Sequence, residues 1–295
     1  MDSPGAAVRG REPCVAGESG FRLGPAGPRD KRPPAVVGRH ARLDLSFLYR
    51  NGRTVLAAAY AEPPFRVGRW FAKGEGLYMI LASSAPGAFG HDHLRQNVRI
   101  GRGARVRLTS QSALQVHPSP DGATALLESS YHVEDDAHLH CEWHPLIPFS
   151  QARIDQRIDL NIEDGGSVYW SDALMSGRQA RGERWAFTSL AHELSVSRDG
   201  SLEFLERYRI QPSELAVSRP WAAGDASYLG TILLTGRPIE PGVAERLQVD
   251  LGHLAGVRAA ADRLDDRVLL VRLLSTFGPD FHEARRWIRD RCGAL

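Results

Sequence analysis

Alternation of apolar and polar positions dominates this chain. Leu43, Leu45 and Phe47 are interleaved with Arg42, Asp44 and Ser46. Successive side chains of a strand point to opposite faces, so a half-buried strand is expected here. Asn51-Gly52 follows, a pair that accepts the positive φ angles of a tight turn and returns the chain into a second strand over Thr54–Tyr60. A similar unit, two apolar alternations on each side of a Gly/Ala/Asp turn, recurs at roughly thirty-residue intervals. Its four copies run from Val98–Ile100 to Val106–Leu108, from Tyr131–Val133 to Leu139–Cys141, from Ile158–Ile162 to Val168–Trp170, and from Leu194–Val196 to Leu202–Phe204. Each reads as a hairpin. Hairpins that cannot bury their apolar face alone must stack, so the expected fold is mostly β, either solenoid-like or a two-sheet core.

The period changes in the last third. Tyr228–Thr235 reads as a short apolar strand that closes the hairpin series. Behind Pro241, Leu247, Leu251 and Leu254 recur at helical spacing, and Pro241 suits a first helical turn. Val257–Leu274 reads as one more hairpin, turning at Leu264-Asp265-Asp266, with Val268–Val271 as its buried strand. A final helix is expected over about Pro279–Arg291, with Phe281, Ala284, Trp287 and Ile288 on its apolar side and Arg285, Arg286 and Arg289 opposite. The architecture is therefore stacked hairpins with two C-terminal α-helices.

Residues 1–40 carry no such pattern. Their Gly, Pro and Arg content buries too little apolar surface to offset ordering entropy, and they lack the apolar run of a signal peptide or anchor. They are expected to be a flexible tail, with residues 41–295 forming one β-rich domain. Charge is nearly balanced, 37 basic against 35 acidic residues, so no nucleic-acid footprint and no membrane attraction is implied. Three cysteines, Cys14, Cys141 and Cys292, are odd in number and far apart, which suits reduced thiols and a cytoplasmic location better than a disulfide framework.

Searches for catalytic patterns return little. There is no Gly-x-x-x-x-Gly-Lys-Ser/Thr phosphate loop and no Gly-x-Ser-x-Gly elbow, and Gly101-Arg102-Gly103 lacks the third glycine of a dinucleotide fingerprint. His132, His138, His140 and His144 fall within thirteen positions of one another, and His138 and His140 share a strand face, a two-ligand start for nickel or zinc. Against that, no spacing completes a tetrahedral set, and a solvated strand face explains the same residues. Asp155, Asp159 and Asp172 would have to converge on one groove for a carbohydrate-cleaving solenoid.

One run is more specific. Gly165-Gly166-Ser-Val-Tyr-Trp170-Ser-Asp172, followed by Gly177-Arg178 and Gly182-Glu183, resembles the central signature of the UreD (UreH) family of urease accessory proteins. Glu62-Pro63-Pro64, Pro86-Gly87 to Asp92, Thr109 to Ala113, Pro148-Phe149 and Asp266–Ser275 agree in order. The early glycine motif departs from the family, with Ala88 and His91 where glycines are usual. What the resemblance implies is a non-enzymatic scaffold that joins UreF and the GTPase UreG on urease apoprotein while nickel is inserted. It also implies no tightly bound cofactor, nickel only in transit, and an internal passage with Asp92, Asp172, Glu183 and Glu206 at matching positions. Each acid has a plain structural alternative: Asp92 caps its turn, Asp172 accepts hydrogen bonds near Trp170, and Glu183 pairs with Arg178. For the partner surface, Trp287 and Ile288 on the last helix are the candidates, with the domain's own core as the competing place for Trp287. A nickel carrier built on the histidine cluster and a carbohydrate enzyme remain as alternative readings.

Overall fold

The computed structural model describes residues 38–292, so the expected tail lies almost wholly outside the described residues. The alternation read in the sequence becomes two facing sheets. Strands β1 (His40–Arg50) and β2 (Arg53–Ala61) form the Asn51-Gly52 hairpin, and β3 (Phe65–Lys73) and β4 (Gly76–Ser83) form the next. From there the chain passes from sheet to sheet: β5 (His93–Ile100) to β6 (Arg105–Ser110), then by β7 (Leu114–Val116) to β8 (Ala125–Val133) and β9 (His138–Glu142). After β10 (Leu146–Pro148), the third coil is β11 (Arg153–Ile162) and β12 (Ser167–Met175). The hairpin β13 (Ser189–Arg198) and β14 (Ser201–Ile210) ends the first sheet. The second is completed by β15 (Tyr228–Thr235), β16 (Val257–Arg263) and β17 (Val268–Ser275), with α1 (Val243–Leu251) and α2 (Gly278–Cys292).

The stacked, solenoid-like β architecture is as the sequence implies, but three of its four repeats are not hairpins. β5, β8 and β11 pair in parallel within the first sheet, while β6, β9 and β12 pair in parallel within the second. The two halves of each unit are thus joined by an arc that crosses from one sheet to the other. Only the fourth unit, β13 to β14, pairs with itself. An arc and a hairpin share one alternation pattern, because both bury every second residue, and the pattern carries no information about the pairing partner.

Parallel, in-register coils line up their inward residues in rows. Phe47, Ile100, Val133 and Ile162 form one row of the first sheet, and Leu45, Val98, Tyr131, Leu160 and Val196 the next. Across the gap stand Met79, Leu108, Cys141, Trp170, Leu233 and Leu270. The ring centroids of Tyr131 and Trp170 meet edge-on at 5.2 Å, and both residues are 1% exposed. Burying a ring of this size removes enough apolar surface from water to contribute on the order of 4–6 kcal/mol.

The helices cover the outer face of the second sheet. Ile232, Leu234, Leu269, Val271 and Leu273 point outward there and pack on Ala244, Leu247, Leu251, Phe281 and Ile288. Gly242 takes the N-cap of α1, so Pro241 lies just ahead of the helix rather than in its first turn. Arg285, expected on the solvent side of α2, is buried. Its guanidinium donates to Ser171 Oγ and to the backbone oxygens of Ser171 and Trp143, which ties the helix to β12. Ile288 is fully buried in this protein's own core, a correction to its expected place on a partner surface. Trp287 is half-buried with the Arg291 guanidinium 3.6 Å over its ring. No described helix is long and apolar enough to cross a membrane.

Candidate functional site

The inward rows do not stay apolar along the strands. In the first sheet the third row reads Leu43, Gln96, Ser129, Ile158, Leu194, Glu206, and the fourth continues through Leu127, Gln156, His192 and Tyr208. In the second, Asp172, Thr231 and Arg272 stand side by side across β12, β15 and β17. These polar rows face one another around a cavity of about 820 Å³ lined from both sheets.

Hydrogen bonds fix most of its polar groups. Gln96 Nε2 donates to the Tyr131 hydroxyl at 2.6 Å, and Trp170 Nε1 donates to Asp172 Oδ2 at 3.0 Å. Arg272 Nη1 donates to both Glu206 Oε1 and Thr231 Oγ1 at 2.6 Å. His192 stacks on Tyr208 with centroids 4.8 Å apart, and its Nδ1 lies 3.1 Å from Gln156 Oε1. A carboxamide oxygen only accepts, so Nδ1 carries the proton of this contact. Burial, reinforced by the negative charges of Asp172 and Glu206, pushes the Tyr208 hydroxyl well above its ordinary pKa, so it stays a neutral donor. Glu206 Oε2 is buried and has no hydrogen-bond partner among the described residues, which is costly for a carboxylate oxygen unless a donor or cation visits it.

The four carboxylates singled out in the sequence separate into two pairs. Asp172 and Glu206 line this cavity. Asp92 and Glu183 do not line it; each pins a loop. Asp92, 1% exposed, accepts from the backbone N–H groups of Arg39 and Phe89 and pairs with the Arg39 side chain. Burial works to raise its pKa, but the Arg39 hydrogen bonds outweigh it and hold the carboxyl below the usual range. The motif around it tolerates its departures: Ala88 avoids positive φ, and His91 adopts it (φ 65°) with its ring 2.8 Å from Asp121. Glu183 accepts from Arg178 Nε at 2.7 Å and from the Ser150 N–H at 3.1 Å. At Gly177 (φ 134°) a Cβ would lie 2.1 Å from the Glu183 carbonyl oxygen, so only glycine lets this loop close.

The histidine cluster is also divided. His132 lies on the first sheet, 3.4 Å from Glu163, whereas His138 and His140 lie together on the outer face of the second. Cys141 faces the core, where burial pushes its thiol far up. Asp155 and Asp159 of β11 alternate with the inward Ile154 and Ile158, so they face away from the cavity that Asp172 lines, and Asp159 accepts from Ser195 Oγ. The three acids do not converge on a groove. Among the described residues, no group of three or more His, Cys, Asp or Glu side chains comes together to hold a metal ion. His192, Gln156, Tyr208 and Arg272 were not singled out from the sequence; the polar members at every second position of β14, Glu206 and Tyr208, were the available signal.

Fold and site define a two-sheet β-solenoid with helices on one flank and a polar, partly acidic chamber between the sheets. The UreD urease accessory protein model matches residues 39–295, and the chain belongs to that family. It is 35% identical over 211 residues to the urease accessory protein UreD of Sorangium cellulosum, covering 72% of this chain and 66% of that protein. To the UreD of Deinococcus radiodurans it is 29% identical, covering 88% of this chain and 92% of the other. The UreD of Mycolicibacterium gilvum is 33% identical over 70% of this chain and 75% of its own length.

Proposed function

We propose that this chain is a non-catalytic scaffold for nickel insertion into urease apoprotein, working in the cytoplasm with UreF and UreG, and that nickel passes through the chamber between its sheets. Membership of a family named as urease accessory proteins supports the setting. The observation that carries the passage is the buried, unpartnered Oε2 of Glu206, in a chamber also lined by Asp172 and His192. Carboxylate and imidazole donors suit a borderline divalent ion. Arg272 already neutralises part of Glu206, and the sparse donor set favours rapid exchange over storage. Asp92 and Glu183 act by holding loops rather than by meeting the ion.

The test is co-expression with UreF, UreG and the urease subunits, followed by capture and by urease nickel content with and without this chain. Copurification with UreF together with nickel-poor urease in its absence is the expected result. Failure of both removes the scaffold reading. Normal capture with full nickel loading by an Asp172→Ala/Glu206→Ala variant removes the passage alone. Trp287→Ala tests the helix contribution to capture in the same experiment.

A carrier built on His138 and His140 has one observation in its favour: both Nε2 atoms are buried without a partner. Arg105, Arg107, Arg237 and Arg289 line the same cleft, and that charge opposes a divalent cation.

A further inference from the structure

The second sheet has another concavity, on the face away from the chamber. A cleft of about 970 Å³ lies over the outward residues of β4, β6, β9 and β12, bounded by α1, α2 and the segment between β15 and α1. Seven Lys and Arg side chains line it against three carboxylates, Glu75, Glu240 and Asp290. Five of the seven are engaged in ion pairs with Glu75, Glu142, Glu240, Asp164 or Asp290. Lys73 and Arg237 form no ion pair among the described residues, and both are exposed.

Beneath these charges lie four buried polar atoms with no hydrogen-bond partner: Arg107 Nε, Tyr169 Oη, His138 Nε2 and His140 Nε2. Tyr169 is only 5% exposed, and its ring stacks on His140 at 4.3 Å. Chance leaves a few such atoms scattered through a protein; four on the lining of one cleft call for a common explanation. Two of them, the guanidinium N–H and the phenol O–H, are donors, and a neutral imidazole supplies another N–H. Burial and the neighbouring arginines hold both histidines below their ordinary pKa, so they are neutral near pH 7. Free cations at the rim and free donors at the floor are complementary to an anion with several acceptor oxygens. The volume falls within the range of small-molecule sites.

We propose that this cleft binds a small phosphate-bearing anion, held by Lys73 and Arg237 at the rim and by Arg107 and Tyr169 at the floor. The site does not depend on the nickel reading, since it lies on the opposite face of the sheet from Asp172 and Glu206.

The test is calorimetric titration of the full-length chain with pyrophosphate at fixed ionic strength, with citrate as a carboxylate of similar charge. Saturable binding to one site is expected, weakened at least about tenfold in a Lys73→Gln/Arg237→Gln variant and changed less than about twofold by Arg50→Gln, an exposed arginine at the end of β1. Pyrophosphate should also shift the imidazole resonances of His138 and His140 in the unaltered protein, a readout that needs no variant. No saturable binding, equal loss from Arg50→Gln, citrate binding as tight as pyrophosphate, or unmoved histidine resonances would each overturn the proposal.

Discussion

The two faces of the second sheet are built from the same strands and have opposite chemistry. On β12, Trp170 and Asp172 point into the chamber, while Tyr169 lines the outer cleft and Ser171 meets Arg285 of the covering helix. On β9, Cys141 enters the core between flanking residues His140 and Glu142, which lie outside. Inside, two carboxylates face a chamber that Arg209 and Arg272 also line; outside, arginines surround the half-buried carboxylate of Glu142. Glu142 receives Arg107 at 2.8 Å and Arg289 at 3.3 Å. Burial alone would raise its pKa, but the His140 ring, its Nε2 4.0 Å away, and the charges of Arg285, Arg289 and Arg107 hold it far below the usual carboxylate range. A sheet one residue thick thus separates an acceptor-rich interior from a donor-rich exterior, and alternation is the device that allows it.

The largest expected effect is on the inner face. Replacing Asp172 and Glu206 together by alanine should lower nickel delivered to co-expressed urease by roughly 10–100-fold, the range found when metal-orienting groups are removed. The variant also leaves Trp170 Nε1 and Arg272 Nη1 without their carboxylate acceptors, at about 1–3 kcal/mol each, so delivery is compared per folded molecule. A delivery loss that merely follows a loss of folded protein would erase the distinction between the faces.

On the outer face the order should be reversed. Arg285→Met keeps the volume in the helix–sheet seam but leaves the backbone oxygens of Ser171 and Trp143 without this donor. The Ser171 oxygen keeps the Trp143 N–H, so the expected cost is about 1–3 kcal/mol for the Trp143 oxygen left without its donor. Denaturant unfolding measures it. Nickel delivery per folded molecule should not change, and a selective delivery defect in a stable Arg285→Met protein would show that the two faces communicate.

The same contrast explains what was legible in the sequence. The half-buried strand of Leu43, Leu45 and Phe47, the Asn51-Gly52 turn and the hairpin around Asp265-Asp266 follow from local pattern, and they stand as read. The arcs did not, since Val98–Ile100 and Val106–Leu108 alternate alike whether they pair with one another or with neighbouring coils. Arg285 sits at helical spacing from Phe281, Ala284 and Ile288, inside the buried stripe, yet its charge marks it as a surface residue until Ser171 is seen opposite. The motif supplied Asp92, Asp172, Glu183 and Glu206 as equals. The Arg178 pair on Glu183 was among the local readings; only contacts between distant segments show that Arg39 occupies Asp92 and that the chamber receives the other two.

The smallest expected effect concerns acidity on the outer face. Burial comes first among the causes that lower the His140 pKa, and the charges of Arg107 and Arg289 add to it, while Glu142 works the other way. A histidine whose folded pKa lies below its unfolded value of 6.5 binds protons more readily when the chain is unfolded. Its contribution to stability is therefore intact above that value and falls as pH drops through it towards the folded pKa. His140→Phe preserves the stack on Tyr169 and removes the titration. The unfolding midpoint of this variant should fall less steeply than that of the unaltered protein between about pH 7 and pH 5.5. The slope should shrink rather than vanish, because burial also lowers the pKa values of His138, His144 and His282. An identical slope would mean that His140 titrates freely and that the outer floor is wetter than its packing against Tyr169 implies.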